Sequence, residues 1–234
     1  YGVDLMHELN LWLILAIIAS FTMIVGSFFA IAQDDLKKRL AYSTISQLSY
    51  IILGAALLTE NGIRGAMLHI PFHGYMKITL FLCAGAIMVA TGKRKISEMG
   101  GIGKTMPITM LAFSVAALGM VGIPPVAGFI SKFYLCLGAW AVPSPYGMMF
   151  LAVILISSLL DVIYFFPIIY TAFFKKPEGE LSGSGEVKVK EAPLLMVAPL
   201  AITAIISVVF FVYPNMFYIF DLVKMAIGDL FGGM

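Results

Sequence analysis

The sequence predicts an all-α integral membrane protein with about six transmembrane helices, and three observations carry that expectation. Hydrophobic residues occupy 61% of the 234 positions and charged residues 12%, against the roughly 45–50% apolar usage of soluble domains. The apolar residues fall in runs of about 20, the length that crosses a hydrocarbon core. Between the runs, basic residues collect in alternate loops, the pattern that orients helices in a membrane.

The runs place spans at 9–33, 36–59 and 63–91. A fourth segment, 105–141, is too long for one straight crossing and is expected to break near 122–125, at Gly122, Pro124 and Pro125. Glycine at a helix end and proline beyond it stop a helix for separate reasons, conformational freedom in one and a missing N–H in the other. Spans at 147–174 and 194–213 complete the set. The stretch 175–193 is polar and rich in Gly and Ser, so it reads as a cytoplasmic loop. Residues 214–234 are apolar but carry Asp221, Lys224 and Asp229, which suits an interfacial tail. A core segment packed under a neighbouring subunit is the alternative. The opening YGVDLMHELN reads like an interior loop, as expected of a fragment.

One side collects Lys37, Lys38, Arg39, Lys93, Arg94, Lys95, Lys104, Lys175, Lys176, Lys188 and Lys190, and the other only Arg64 and Lys224. Short basic loops stay cytoplasmic, so both termini are expected on the outer side. The trio Lys37, Lys38 and Arg39 reads most simply as a cytoplasmic anchor. Cys83 and Cys136 both lie inside apolar runs and read as small core residues rather than a disulfide or metal pair. No phosphate loop, nucleotide fingerprint, catalytic triad or iron–sulfur cysteine run is present, so neither bond chemistry nor nucleic-acid binding is expected of this chain.

Polar residues inside the spans are the candidates for function. Lys132 follows the expected helix break, and an ammonium at that depth costs roughly 2.5–3.5 kcal/mol. Irregular backbone in a bilayer survives only where protein buries it or water fills a cavity beside it. His69, His73 and Lys77 are spaced by four, which stacks them on one helix face. Imidazole and ammonium groups both exchange protons, so a stack of them can relay protons; the blander reading is hydrogen bonding between helices. Ser43, Ser46, Gln47 and Tyr50 make a polar stripe on the second span, either holding water or bonding helices together. Asp34 and Asp35 suit that helix's N-terminus. Asp161, sharing a face with Ser157 and Tyr164, needs a partner, and Lys132, Lys77 or a histidine could each supply it.

The stretches DDLKKRLAYSTISQLSYIILG, HIPFHGYMKITLFLCAGAI and GIPPVAGFISKFYL, in that order and spacing, resemble the antiporter-like subunits of respiratory complex I, Mrp-type sodium/proton antiporters and membrane-bound hydrogenases. The resemblance covers essentially the whole chain, but only the C-terminal half of a family member. It implies one repeat of an inverted-repeat antiporter-like fold over 1–174, followed by a final helix. Carried onto this sequence, it marks Lys132 as the ionisable residue of the broken helix, exchanging protons with the outer side. It marks His69, His73 and Lys77 as members of a hydrophilic axis, and Asp35 and Lys37 as the charged pair of the cytoplasmic turn. Gly122, Pro124 and Pro125 match the break, whereas Asp161 has no secure counterpart. Phe133 after Lys132 and the short tail favour a shorter subunit, of the Mrp D type.

The resemblance implies translocation of protons, or of sodium, inside a multi-subunit membrane complex of a prokaryotic inner membrane. Iron–sulfur, flavin, nickel or quinone groups would then belong to partner subunits, with no cofactor in this chain. Two other readings stay open: a secondary Na⁺/H⁺ antiporter subunit without redox partners, and a structural subunit whose polar axis is inert.

Overall fold

A computed structural model describes residues 2–176 and 190–231; most of the expected cytoplasmic loop, 177–189, lies outside the described residues. Leu11–Ala32 (α2) follows a one-turn helix, Val3–Glu8 (α1), and Leu36–Ala56 (α3) begins where the Asp35 carboxylate accepts the Lys38 N–H at 2.9 Å. Asp34 does not join that cap. It accepts instead from Ser97 N–H and Oγ–H, tying the start of α3 to the loop after the next helix. Glu60–Thr91 (α4) is capped by Thr59 and ends at Gly92, whose φ of 73° is open to glycine without strain. Four helices among the described residues are long and apolar enough to cross a membrane on length and composition, α2 and α4 among them. α3 is long enough but more polar, for reasons that lie in the site.

The expected break in the fourth segment is present. After a short turn, Ile102–Thr105 (α5), the segment splits into Pro107–Val121 (α6) and Gly128–Ala141 (α7). α6 starts with proline at its first turn, where no N–H is missed. It ends in a Schellman motif: Gly122 takes φ 93°, its N–H bonds Gly119 O, and Ile123 N–H reaches back to Leu118 O, each at 3.0 Å. The Val121 carbonyl is left without a helical donor. The far side of the break is held by Ala127 N–H bonding Ser207 O at 3.0 Å, across to Leu194–Val212 (α9).

Tyr146–Phe174 (α8) and α9 supply the two remaining spans expected from the sequence, and Ile219–Phe231 (α10) follows them. α4 is the axis of the bundle, with α3, α6, α7, α9 and α10 packed around it, while α8 lies against α2, α6 and α7. α10 buries Val223 and Ile227 and keeps Asp221, Lys224 and Asp229 off the bundle. Cys83 and Cys136 are free thiols. Asn215 and Asp221 bond each other across the turn into α10.

Where α3, α4 and α7 meet, glycines bring backbones into contact, as small residues do between membrane helices. A Cβ on Gly138 of α7 would collide with the backbone N and Cα of Gly62 on α4. One on Gly65 would stand 2.7 Å from Leu135 N, and one on Gly54 of α3 would stand 2.8 Å from Gly62 O. The Thr59 hydroxyl also donates to Gly138 O at 3.1 Å. Gly138→Ala is therefore expected to cost about 1–3 kcal/mol through overpacking. Gly85→Ala, whose added carbon would meet nothing nearer than 3.8 Å, is expected to be neutral or slightly stabilising. Thermal unfolding of the purified variants in detergent compares the two directly.

Candidate functional site

The deepest polar residues of four helices, α3, α4, α7 and α8, converge on one buried row. Lys132 on α7 and Asp161 on α8 form an ion pair, Nζ to Oδ2 at 2.6 Å, with Asp161 fully buried. Among the partners left open by periodicity, the structure thus selects Lys132. Asp161 sits on the face of α8 that carries Ser157 and Tyr164, and the Tyr164 hydroxyl donates to its Oδ1 at 2.6 Å. The Gln47 amide of α3 donates to Oδ2 at 2.7 Å. Three donors on one carboxylate are what a buried anion requires.

The ammonium of Lys132 is equally well served. Besides Asp161 it donates to the Val121 carbonyl at 3.2 Å, the one released by the end of α6, and to Ser158 Oγ at 3.3 Å. It lies 4.6 Å from the centre of the Tyr50 ring, within cation–π range. The helix break and the lysine are therefore one device. The break exposes a carbonyl at the negative end of a half-helix, and the cation occupies it.

On α4, His69, His73 and Lys77 do share a buried face, and the rings of His69 and His73 stack with centroids 5.7 Å apart. Each group has different partners. His69 Nδ1 lies 2.9 Å from Ser131 Oγ, and its Nε2 lies 3.2 Å from Gln47 Oε1. Gln47 presents its N–H₂ to Asp161, so its oxygen faces the histidine and His69 Nε2 carries the proton. Lys77 donates to Ser43 Oγ at 2.9 Å. His73 Nε2 is buried without a hydrogen-bond partner among the described residues.

The polar stripe on α3 thus bonds the ionisable groups together: Ser43 holds Lys77, Gln47 bridges Asp161 and His69, and Tyr50 flanks Lys132. Ser46 bonds helix to helix, its hydroxyl 2.9 Å from Ser27 Oγ on α2, and the Tyr50 hydroxyl lies 3.3 Å from Ser158 Oγ on α8. Periodicity found the stripe. The roles of Ser43, Ser131 and Ser158 depend on which helix lies opposite, and no spacing in the chain reports that.

Asp35 and Lys37 lie apart from this row. They line a cavity of about 230 Å³ at the basic end of the bundle, together with Lys93 and Arg94. The basic trio needs a correction. Lys37 and Lys38 are exposed, as an anchor requires, but Arg39 is buried. Its guanidinium donates to the Gln33 carbonyl through Nε at 2.8 Å and to Tyr164 O through Nη1 at 3.0 Å. Arg39 closes the end of α2 and ties it to α8, because carbonyls past the last helical turn need donors.

Residues 3–160 match the family described as "NADH:quinone oxidoreductase/Mrp antiporter, TM". The chain belongs to this family. It is 44% identical over 167 residues to NADH-quinone oxidoreductase subunit N of Desulforudis audaxviator (strain MP104C), a match covering 69% of this chain and 32% of the relative. It is 40% identical over 127 residues to the D-type subunit of the Na(+)/H(+) antiporter of Alkalihalophilus pseudofirmus, covering 54% of this chain and 26% of that protein. The fold superposes on a chain of the Mrp complex from Dietzia sp. DQ12-45-1b with a TM-score of 0.83 at 23% identity, covering 94% of this chain and 47% of the other. The chain spans less than half the length of each of these proteins. The antiporter-like, all-helical membrane architecture expected from the sequence is thus the one observed.

An uncompensated charge is the costliest change this row can suffer. Asp161→Ala leaves Lys132 buried without its anion and is expected to cost about 3–5 kcal/mol, whereas pairing Asp161→Leu with Lys132→Met removes both charges and recovers most of that loss. Unfolding midpoints of the single and double variants read the difference.

Proposed function

We propose that this chain is an ion-translocating membrane subunit of a multi-subunit complex, moving protons along its buried Lys and His residues. The observation that carries the reading is the continuous hydrogen-bonded row from Lys77 through Ser43 and Tyr164 to Asp161, which branches to Lys132 at the interrupted helix and, through Gln47, to His69. Membrane-buried ionisable residues are expensive to keep and mark ion pathways. Broken helices whose ends face the bound charge are a recurring transporter feature.

Lys132 is the terminal exchange group in this scheme and Lys77 the supply from the cytoplasmic side, with His73 and His69 on the same face of α4 lining the row beside them. The alternate-loop basicity supports a cytoplasmic location for the Lys37 and Lys93–Lys95 end, with both termini of the chain outside. The membrane is the inner membrane of a prokaryote. Redox chemistry in neighbouring subunits, or an ion gradient, would drive the transfer, and the neighbours include other antiporter-like subunits. Asp35 and Lys37 lie where the cytoplasmic side would feed the row.

The relative named as part of a Na(+)/H(+) antiporter favours a second reading, sodium–proton exchange without redox partners. Purification of the complex from native membranes and identification of its subunits separates the two, since iron–sulfur or nickel proteins belong only to the first. In proteoliposomes carrying the whole complex, Lys132→Met is expected to abolish translocation while the subunits still co-purify. His73→Ala is expected to slow it more than Ile78→Ala, a change on the exposed face of the same helix. Full translocation by Lys132→Met, or equal effects of the last two, would overturn the assignment.

A further inference from the structure

The buried row contains two routes away from Lys77, and only one is continuous. Along α4 the next group is His73, whose Nε2 meets no partner among the described residues. Sideways, Lys77 Nζ lies 2.9 Å from Ser43 Oγ, Ser43 Oγ lies 3.1 Å from Tyr164 Oη, and Tyr164 Oη lies 2.6 Å from Asp161 Oδ1. Ser43, Tyr164 and Asp161 are all completely buried.

The direction of each bond follows from counting protons. A carboxylate oxygen only accepts, so the single phenolic proton of Tyr164 points at Asp161. Tyr164 then has none left for Ser43, and a transfer begins when the Ser43 hydroxyl, 3.1 Å away, turns its own proton toward Tyr164 Oη. Ser43 Oγ in turn accepts from the Lys77 ammonium, which only donates. With Ser43 so turned, every proton along the path points the same way, from cation to anion, with no water needed at any step.

We propose that Ser43 and Tyr164 form a water-free proton wire from Lys77 to Asp161, and that a proton delivered along it dissolves the Asp161–Lys132 ion pair. The proposal rests on the translocation reading above and names the groups that couple its two lysines. In the transfer an N–H bond of Lys77 breaks and an O–H bond forms on Ser43. The original Ser43 proton passes to Tyr164 Oη, and the original Tyr164 proton passes to Asp161 Oδ1. The ammonium becomes an amine, the carboxylate becomes an acid, and both hydroxyls end up reversed. Asp161 keeps the Gln47 bond at Oδ2, while Lys132 loses its counter-ion and keeps only neutral oxygens and the Tyr50 ring. A cation so deprived gives its proton to the outer side, and the acid then reprotonates the amine of Lys132 and restores the pair. One proton has then moved from Lys77 to Lys132 and beyond, and Lys77 is refilled from the cytoplasmic side.

The test uses the intact complex in proteoliposomes, with co-purification of the subunits as the check on assembly. Tyr164→Phe keeps the ring and removes the hydroxyl, and is expected to lower translocation roughly 100-fold, the scale of losing one positioned proton carrier. Ser43→Ala is expected to do the same, and it carries the test if the tyrosine variant fails to assemble. The infrared carbonyl band of protonated Asp161, assigned by its loss in Asp161→Asn, is expected to rise during turnover in the wild type and to stay absent in Tyr164→Phe. A purely structural role for the phenol would leave that band in place. Wild-type translocation by Tyr164→Phe and Ser43→Ala, or an undiminished Asp161 band in either, overturns the wire. If Lys132→Met abolishes translocation in the same assay, the translocation reading survives that failure; if Lys132→Met also translocates fully, both fall.

Discussion

A lysine and an aspartate, both taken out of water, hold the centre of this bundle, and much of the surrounding structure can be understood as what that ion pair demands. Desolvating two charges costs several kcal/mol each, repaid only when the remaining lone pairs and protons also find partners. Asp161 therefore collects a phenol, an amide and the ammonium. Lys132 collects a carboxylate, a hydroxyl, a carbonyl and an aromatic face. These partners come from α3, α6, α7 and α8, so the pair makes four helices interdependent at one level of the membrane.

The irregularities of the backbone serve the same centre. Without the Schellman end of α6 the Val121 carbonyl would be spent on a helical N–H and could not face Lys132. The bond from Ala127 to Ser207 keeps the interrupted backbone satisfied from α9, as apolar surroundings require. At the other end of α6, Glu191 accepts from the backbone N–H groups of Ile108 and Thr109 and from the Thr109 hydroxyl. α6 thus carries an anion on its first turn and a cation on its last carbonyl, both in the sense its dipole favours.

Much of this is legible in the order of the residues alone. Span lengths, the break at Gly122–Pro125 and the shared face of His69, His73 and Lys77 follow from local rules: apolar run length, the φ freedom of glycine and the 3.6-residue repeat. The site is legible only as a set of members. Asp161 has three candidate partners on paper because periodicity says which way a residue faces on its own helix and nothing about what lies opposite. Arg39 misleads for a related reason: a basic residue beside two others in a loop-proximal run looks solvated, and only the approach of α8 shows that its guanidinium turns inward. Gln47 stands in a polar stripe equally suited to water or to helix contacts, and its bridging role needs both Asp161 and His69 in place.

The glycine contacts among α3, α4 and α7 bear on how such a site can move. Where Gly138 lies against Gly62 and Gly65 lies against Leu135, no side chains stand between the two backbones to be rearranged. Sliding α7 along α4 would drive main chain into main chain, so these two helices behave as a single stiff frame. Freedom is left to the long, single-bonded stem of Lys132, to hydroxyl rotors and to the six residues of the break between α6 and α7. Movement at the site therefore falls to swinging side chains in a fixed scaffold rather than to sliding of α7 along α4.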